Sequence, residues 1–221
     1  MSSTLFGLAC LLFFAIAQAV RDAYFGNVFQ SVSFLVVAIL AFGSATAVFG
    51  TWAWQRGPEE VRALIGNTKL FLALNATTAA AWMGYFFALK HIEPALVNTL
   101  YTGVGQIAVL ALSALGVSMA KGTATGWLER VGYVGVLASL IAIAAVVLLG
   151  QSGLGGEPMS IRIAAVLAAT MGGVIIAISH MIARRLGDLG IGSNALMGLR
   201  DRKSTRLNSS HIQKSRMPSS A

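Results

Sequence analysis

The segment 84–116 reads GYFFALKHIEPALVNTLYTGVGQIAVLALSALG, and it decides the fold class. Two apolar runs flank a short polar link, KHIEPA, which contains Pro94. Proline suits the first turn of a helix, because the N–H that it lacks has no intrahelical partner there. The segment therefore predicts two antiparallel apolar helices joined by a tight turn.

Apolar runs of the same kind lie on both sides of this hairpin. Crossing about 30 Å of hydrocarbon takes about 20 apolar residues, and a segment in lipid must satisfy its own backbone hydrogen bonds as a helix. The sequence therefore predicts an all-α membrane protein with six transmembrane helices. The six stretches without Asp, Glu, Lys or Arg are 4–20, 28–54, 70–89, 95–119, 131–150 and 163–183.

The composition supports this class and excludes others. Hydrophobic residues make up 56% of the chain and charged residues 11%, against about 25% charged residues in soluble domains. The single cysteine, Cys10, excludes an internal disulfide and a cysteine-based zinc site. The net charge of +8 is spread over links and tail, so it predicts membrane orientation and no nucleic-acid partner.

Basic residues in the links predict the orientation, because Lys and Arg are enriched on the cytoplasmic side. With a cytoplasmic N-terminus, the inner links hold more of them than the outer links do. The inner set is Arg56, Arg62, Lys69, Lys121, Arg130, Arg184 and Arg185, and the outer set is Arg21, Lys90 and Arg162.

The sequence offers little for an enzyme. It has no P-loop, no G-x-S-x-G motif and no metal-ligand cluster, and none of its acidic residues lies within a predicted span. We therefore expect no catalytic residues, no cofactor and no metal.

Polar side chains inside the predicted spans are the candidate site, because such groups tend to face a bundle interior or a water-filled cavity. Asn98, Thr102 and Gln106 lie at i, i+4 and i+8 on the fourth span, on one face of the helix. The predicted substrate-binding set is Asn98, Tyr101, Thr102, Gln106, Asn75, Trp82 and Gln18. The alternatives are interhelical hydrogen bonding without a ligand and, for Trp82, anchoring at the membrane interface.

His180 is a second candidate, because histidine titrates near physiological pH and this one lies within the sixth predicted span. It predicts a proton-linked role. The alternative is a structural histidine, since no carboxylate lies in the same predicted span.

Small residues four apart predict close helix packing in three spans. They are Ala76, Ala80 and Gly84; Gly135 and Ser139; and Gly173 and Ala177.

Segment 84–116 resembles the hairpin of the third and fourth helices in EamA-like transporters of the drug/metabolite transporter superfamily. The shared features are an aromatic-rich helix end, a basic tight turn and a helix of small residues. WLERVGYVGVLASLIAIAAVVLLG (127–150) looks like that family's fifth helix, and AAVLAATMGGVIIAISHMIARRL (164–186) resembles the helix that opens its second repeat. The resemblance covers roughly residues 4–200, and Gln106 stands where the family commonly has proline.

This resemblance implies a ten-helix transporter fold of two inverted five-helix repeats, which moves small organic metabolites by alternating access. Residues 1–150 would be the first repeat, 151–160 a glycine-rich linker and 161–200 the truncated start of the second repeat. The chain would then be a fragment that is inactive alone. The expected partners are the lipid bilayer, a small metabolite and a second copy of the chain. The expected location is the cytoplasmic membrane of a bacterium.

The tail 201–221, DRKSTRLNSSHIQKSRMPSSA, carries no helical hydrophobic period. We expect it to be a disordered, non-biological tail on a truncated gene. The rival interpretation is a genuine basic tail that binds anionic lipid. A different class of protein, a six-helix membrane scaffold or assembly subunit without transport activity, also fits the six spans.

Overall fold

The computed structural model describes residues 3–56, 58–115, 126–151, 156–189 and 191. These residues form helices and links, without a strand. The helices are α1 (Ser3–Ser31), α2 (Phe34–Arg56), α3 (Pro58–Gly66), α4 (Thr68–His91), α5 (Pro94–Ala114), α6 (Trp127–Leu148) and α7 (Met159–Asp188). All of these helices except α3 are long and apolar enough to cross a membrane.

The first helix is longer than the charge-free run that predicts it. The expected end at residue 20 was wrong, because α1 continues through Arg21 and Asp22 to Ser31. The two charges pair within the helix, with Arg21 Nη2 2.6 Å from Asp22 Oδ1, so neither forces the chain into water. As a result, the second helix begins at Phe34, not at residue 28.

The polar link between the second and third spans contains a helix that the sequence analysis did not predict. Helix α3 has nine residues and begins at Pro58, a position that suits proline. Its Leu64 is buried against Leu186, in the last turn of α7, and against Ile191, three residues after α7 ends. The helix therefore attaches this link to the end of α7.

The long helices alternate in direction. At one end of the bundle, Gln30 Nε2 donates to the carbonyl oxygen of Lys90 (2.9 Å). At the same end, His91 Nδ1 lies 2.8 Å from Glu157 Oε1, which joins the α4–α5 turn to the link before α7. Helix α3 and the end of α7 meet at the opposite end. This is the arrangement expected of successive spans joined by short links.

Helices α4, α5 and α7 form the centre, and glycines let their backbones approach closely. A Cβ atom added at Gly84 of α4 would lie 2.7 Å from the carbonyl oxygen of Ala168 in α7. One added at Gly105 of α5 would lie 3.2 Å from the carbonyl oxygen of Gly173 in α7, and one added at Gly173 would clash with the Tyr101 carbonyl oxygen. We call these contacts the glycine interface.

The remaining helices pack around this centre. Helix α1 contacts α4 and α5, α2 contacts α4, and α6 contacts α5 and α7. The predicted small-residue pair on α6 does not pack, because Gly135 has open space beside it and Ser139 is exposed. The Ser139 hydroxyl donates to the Gly135 carbonyl oxygen within the same helix (2.9 Å).

Some expectations lie outside the described residues. They concern the tail 201–221, the continuation of the second repeat over 192–200, the end of the fourth predicted span at 116–119 and the centre of the glycine-rich linker at 152–155.

Candidate functional site

A cavity of about 250 Å³ lies between α5 and α7. Four of the predicted site residues line it: Tyr101, Thr102, Gln106 and His180. The rest of the wall is apolar or small, and consists of Gly105, Val109, Ile176 and Ala177. The polar face predicted on α5 therefore lines a cavity in part, and α7 forms the opposite wall.

The partner helix of this cavity differs from the expected one. The tight KHIEPA turn suggested that α4 would supply the opposite wall, but Asn75 and Trp82 do not line the cavity. Asn75 is exposed, and its Nδ2 donates to the Phe71 carbonyl oxygen one turn earlier in α4 (2.8 Å). The physical reason is the glycine interface, which brings α7 against the cavity face of α5.

Two further candidates contact each other. Gln18 Nε2 of α1 donates to Asn98 Oδ1 of α5 over 3.0 Å. Asn98 lies one turn before Thr102, whose hydroxyl donates to the Asn98 carbonyl oxygen (2.6 Å). The Gln18–Asn98 contact is an interhelical hydrogen bond, which is the alternative to ligand binding stated above for these residues. Asn98 lies one turn before the cavity-lining Thr102 on α5.

A buried carboxylate within α1 corrects the expectation that no acidic residue lies inside a span. Asp22 is only 2% exposed. Its Oδ1 accepts hydrogen bonds from Arg21 Nε (2.9 Å) and Nη2 (2.6 Å). Its Oδ2 is buried and has no hydrogen-bond partner among the described residues. Charged groups inside the hydrocarbon are expensive, so this pair is the strongest functional signal in the described bundle.

Aromatic rings connect the charged pair to the cavity. The guanidinium carbon of Arg21 lies 5.2 Å from the ring centroid of Trp82, within cation–π range. The Trp82 ring meets Tyr85 edge-on at 5.6 Å, and Tyr85 contacts Tyr101 at 4.7 Å between centroids. Since Tyr101 also lines the cavity, the aromatic contacts run from Arg21 to the cavity wall.

The two tyrosine hydroxyls on this route are buried. Neither the hydroxyl of Tyr85 nor that of Tyr101 has a hydrogen-bond partner among the described residues. Asp22 and Arg21 both lie within side-chain interaction range of the Tyr85 hydroxyl without forming a hydrogen bond of normal geometry, and Arg21 lies within electrostatic range of Tyr101. Buried polar atoms without well-formed hydrogen bonds cost free energy, so this cluster is a candidate position for a bound polar group.

Sequence reasoning missed Arg21 and Asp22 because their charges ended the predicted span. A signal for Asp22 was nevertheless available. It follows Gln18 by four residues, and positions four apart share one face of a helix. Phe25 and Phe29 continue that face and pack against Phe86 of α4. A test for helix continuity across adjacent opposite charges would have found the pair.

The polar groups that line the cavity suit hydrogen bonding to a ligand. No group of three or more His, Cys, Asp or Glu that could hold a metal ion occurs among the described residues. The cavity offers an amide, hydroxyls and an imidazole on an otherwise apolar surface, the mixture typical of sites for small organic ligands.

Comparison of the chain with protein-family models, curated proteins and solved structures gives no match. The class that the fold defines is an all-helical protein with six helices long and apolar enough to span a membrane.

Proposed function

We propose that the protein is a multi-pass membrane transporter that moves small organic metabolites by alternating access. The observation that carries this proposal is the Arg21–Asp22 pair, in which Asp22 is buried and from which aromatic contacts run to a cavity between α5 and α7. Ionisable residues within membrane spans mark solute or proton pathways when they face a bundle interior.

The size and lining of the cavity indicate the kind of solute. About 250 Å³ is slightly below the range of about 300–1,000 Å³ for drug-sized ligands, so a small metabolite is the better fit. Gln106 and Thr102 supply hydrogen-bonding groups, while Val109 and Ile176 supply apolar contact. Gln106 is the residue we expect to bind the solute most directly.

We also propose that this chain is an EamA-like member of the drug/metabolite transporter superfamily, holding the first five-helix repeat and the start of the second. The support is the sequence pattern of segment 84–116. A cytoplasmic N-terminus in a bacterial cell membrane belongs to the same proposal. It is supported by the basic links, and removing Arg21 from the outer set strengthens the imbalance.

The competing class is a six-helix scaffold or assembly subunit. A scaffold would use the glycine interface equally well, since close backbone contact stabilises any membrane bundle. It gives no reason, however, for burying Asp22 with an oxygen left unpaired. This is why transport is the function we favour.

Uptake into proteoliposomes tests the proposal. Because the proposal makes this chain the first repeat of a two-repeat carrier, the liposomes contain the purified product of the completed gene, and they are offered radiolabelled panels of amino acids, monocarboxylates, primary amines and nucleosides. We expect one class to accumulate above protein-free liposomes. Gln106→Leu should lower the uptake rate about tenfold, the cost of roughly one hydrogen bond to the solute. Asn98→Leu tests the neighbouring position in the same way.

Asn75→Leu is the matched control, because it makes the same polar-to-apolar change at an exposed position whose side chain bonds only its own helix. It should leave uptake unchanged. If no panel member enters liposomes that contain monodisperse, inserted protein, the transport proposal is wrong. If uptake occurs and Gln106→Leu matches the wild type, Gln106 does not contact the solute.

A further inference from the structure

The Arg21–Asp22 pair is built asymmetrically. Asp22 is almost wholly buried, while the Arg21 side chain is 36% exposed. Arg21 directs two hydrogen bonds at Oδ1, while Oδ2 forms none of normal geometry among the described residues, and the Tyr85 hydroxyl lies within interaction range of the carboxylate. The cation can therefore reach an incoming ligand, and the carboxylate cannot.

Few ionisable groups face this pair. Helices α4 and α5 pack against α1, and they contribute Tyr85 and Tyr101, whose hydroxyls lie within electrostatic range of Arg21. Lys90 and His91 lie at the far end of α4, eight and nine residues beyond Trp82. His180 lies on α7 and lines the cavity together with Tyr101.

Charge balance decides what the pair can bind. The guanidinium of Arg21 stays protonated at any physiological pH, so the free pair is neutral only while Asp22 is ionised. An anion that bound Arg21 would leave a net negative charge in a low-dielectric site, which is costly. Uptake of one proton by Asp22 restores neutrality, and it removes the competitor for Arg21.

We propose that Arg21 binds the carboxylate of a small organic acid, and that Asp22 takes up one proton when this ligand displaces it. The ligand's two oxygens replace Asp22 Oδ1 as acceptors of the Arg21 hydrogen bonds, and the proton comes from water. No covalent bond changes. The inference names a substrate class for the proposed transporter and rests on that function only for the movement of the bound acid.

The surroundings favour a monocarboxylate with an apolar body. Arg21 is the only cation in contact with the pair among the described residues, so one carboxylate is matched and a second would be unpaired. The guanidinium carbon of Arg21 lies 5.2 Å from the ring centroid of Trp82, and this ring is only half-buried, so it offers an apolar surface beside the cation. Benzoate is therefore a suitable probe, and benzamide is its uncharged counterpart.

Isothermal titration calorimetry of the full chain in detergent tests the inference. Benzoate is titrated in two buffers of different ionisation enthalpy, which reports the number of protons taken up for each ligand bound. We expect one proton per benzoate and none with benzamide. Wherever each benzoate binds together with one proton, the dissociation constant should rise about tenfold for each unit of pH increase.

Three variants locate the proton and the carboxylate. Asp22→Asn should bind benzoate without proton uptake and without pH dependence, and more tightly than the wild type at neutral pH because Arg21 has no internal competitor. Arg21→Gln should weaken binding at least tenfold. Asp22→Glu keeps the carboxyl group and should retain proton uptake, which guards against misreading a folding defect in Asp22→Asn.

His91→Gln is the control for unrelated titration, because His91 pairs with Glu157 at the end of the bundle. It should leave the proton count at one. Proton uptake that persists in Asp22→Asn and disappears in His180→Gln would overturn the proposal. So would benzoate binding that Arg21→Gln does not weaken.

Binding and transport can fail separately. Benzoate binding with one proton taken up, but without uptake of any solute by proteoliposomes, would leave this inference standing and remove the transport proposal. Transport of amines or nucleosides by a protein that does not bind benzoate would do the reverse.

Discussion

Three glycines of the centre and two glycines of α2 and α6 sit in opposite surroundings. At Gly84, Gly105 and Gly173 an added methyl group would meet the backbone of a neighbouring helix. At Gly43 of α2 and Gly135 of α6 it would meet nothing within 4 Å. The same residue type therefore holds three helices together in one region and faces open space in another. Lipid is as apolar as a side chain, so close approach, not burial of apolar surface, must stabilise the centre.

The largest effect should come from Gly173→Ala. Its new methyl group would clash with the carbonyl oxygen of Tyr101, and backbone cannot yield as a flexible side chain can. We expect the free energy of unfolding in micelles to fall by about 3 kcal/mol. Gly135→Ala makes the same change on α6 and should leave the value unchanged or slightly higher, because alanine favours helix. Equal changes in the free energy of unfolding at Gly173 and Gly135 would contradict the difference between the centre and α6.

A series of three alanine substitutions tests whether the loss of stability follows the closeness of each glycine to the neighbouring backbone. Gly84→Ala should cost less than Gly173→Ala, about 1–2 kcal/mol, because its Cβ would lie 2.7 Å from the Ala168 carbonyl oxygen. Gly105→Ala, at 3.2 Å, should cost less again. Unfolding measured for all three variants under one condition gives the order. An order that does not follow these distances would show that the helices shift apart freely.

The smallest effect concerns a polar contact in the same interface. The hydroxyls of Thr78 on α4 and Ser179 on α7 lie 2.6 Å apart. A double-mutant cycle with Thr78→Val and Ser179→Ala should give a coupling energy of about 0.6 kcal/mol, typical of hydrogen bonds between membrane helices. Thr99 bonds only its own helix, so a cycle of Thr99→Val with Ser179→Ala should show no coupling. Coupling in the Thr99 cycle would contradict the assignment.

Much of the fold could be predicted because hydrocarbon imposes two simple requirements, an apolar surface and a self-satisfied backbone. All six spans were found where charge-free runs occur. The bounds failed where charges compensate each other, as at Arg21 and Asp22. The helix α3 was missed because its nine residues satisfy a local amphipathic pattern that a search for long apolar runs does not consider.

The site was predictable only within a helix. Thr102 and Gln106 are four residues apart, which places them on one side of α5, and Tyr101 lies next to Thr102. Their distant partner was not predictable, because α7 reaches α5 through Gly105 and Gly173, and the sequence does not state which glycines face each other. For the same reason, the sequence could not show that Asn75 lies away from the cavity, although α4 directly precedes α5 in the chain.

The position of Gly173 along the chain also has a consequence for how the molecule is made. Gly84 and Gly105 contact the backbone of α7, and both are synthesised before α6, whereas α7 is the last of the seven described helices to leave the ribosome. The contacts of the glycine interface with α7 therefore cannot form while α6 and the following link are being synthesised. Assembly of the central bundle is thus a late event, set by the arrival of α7 and not by the hairpin that precedes it.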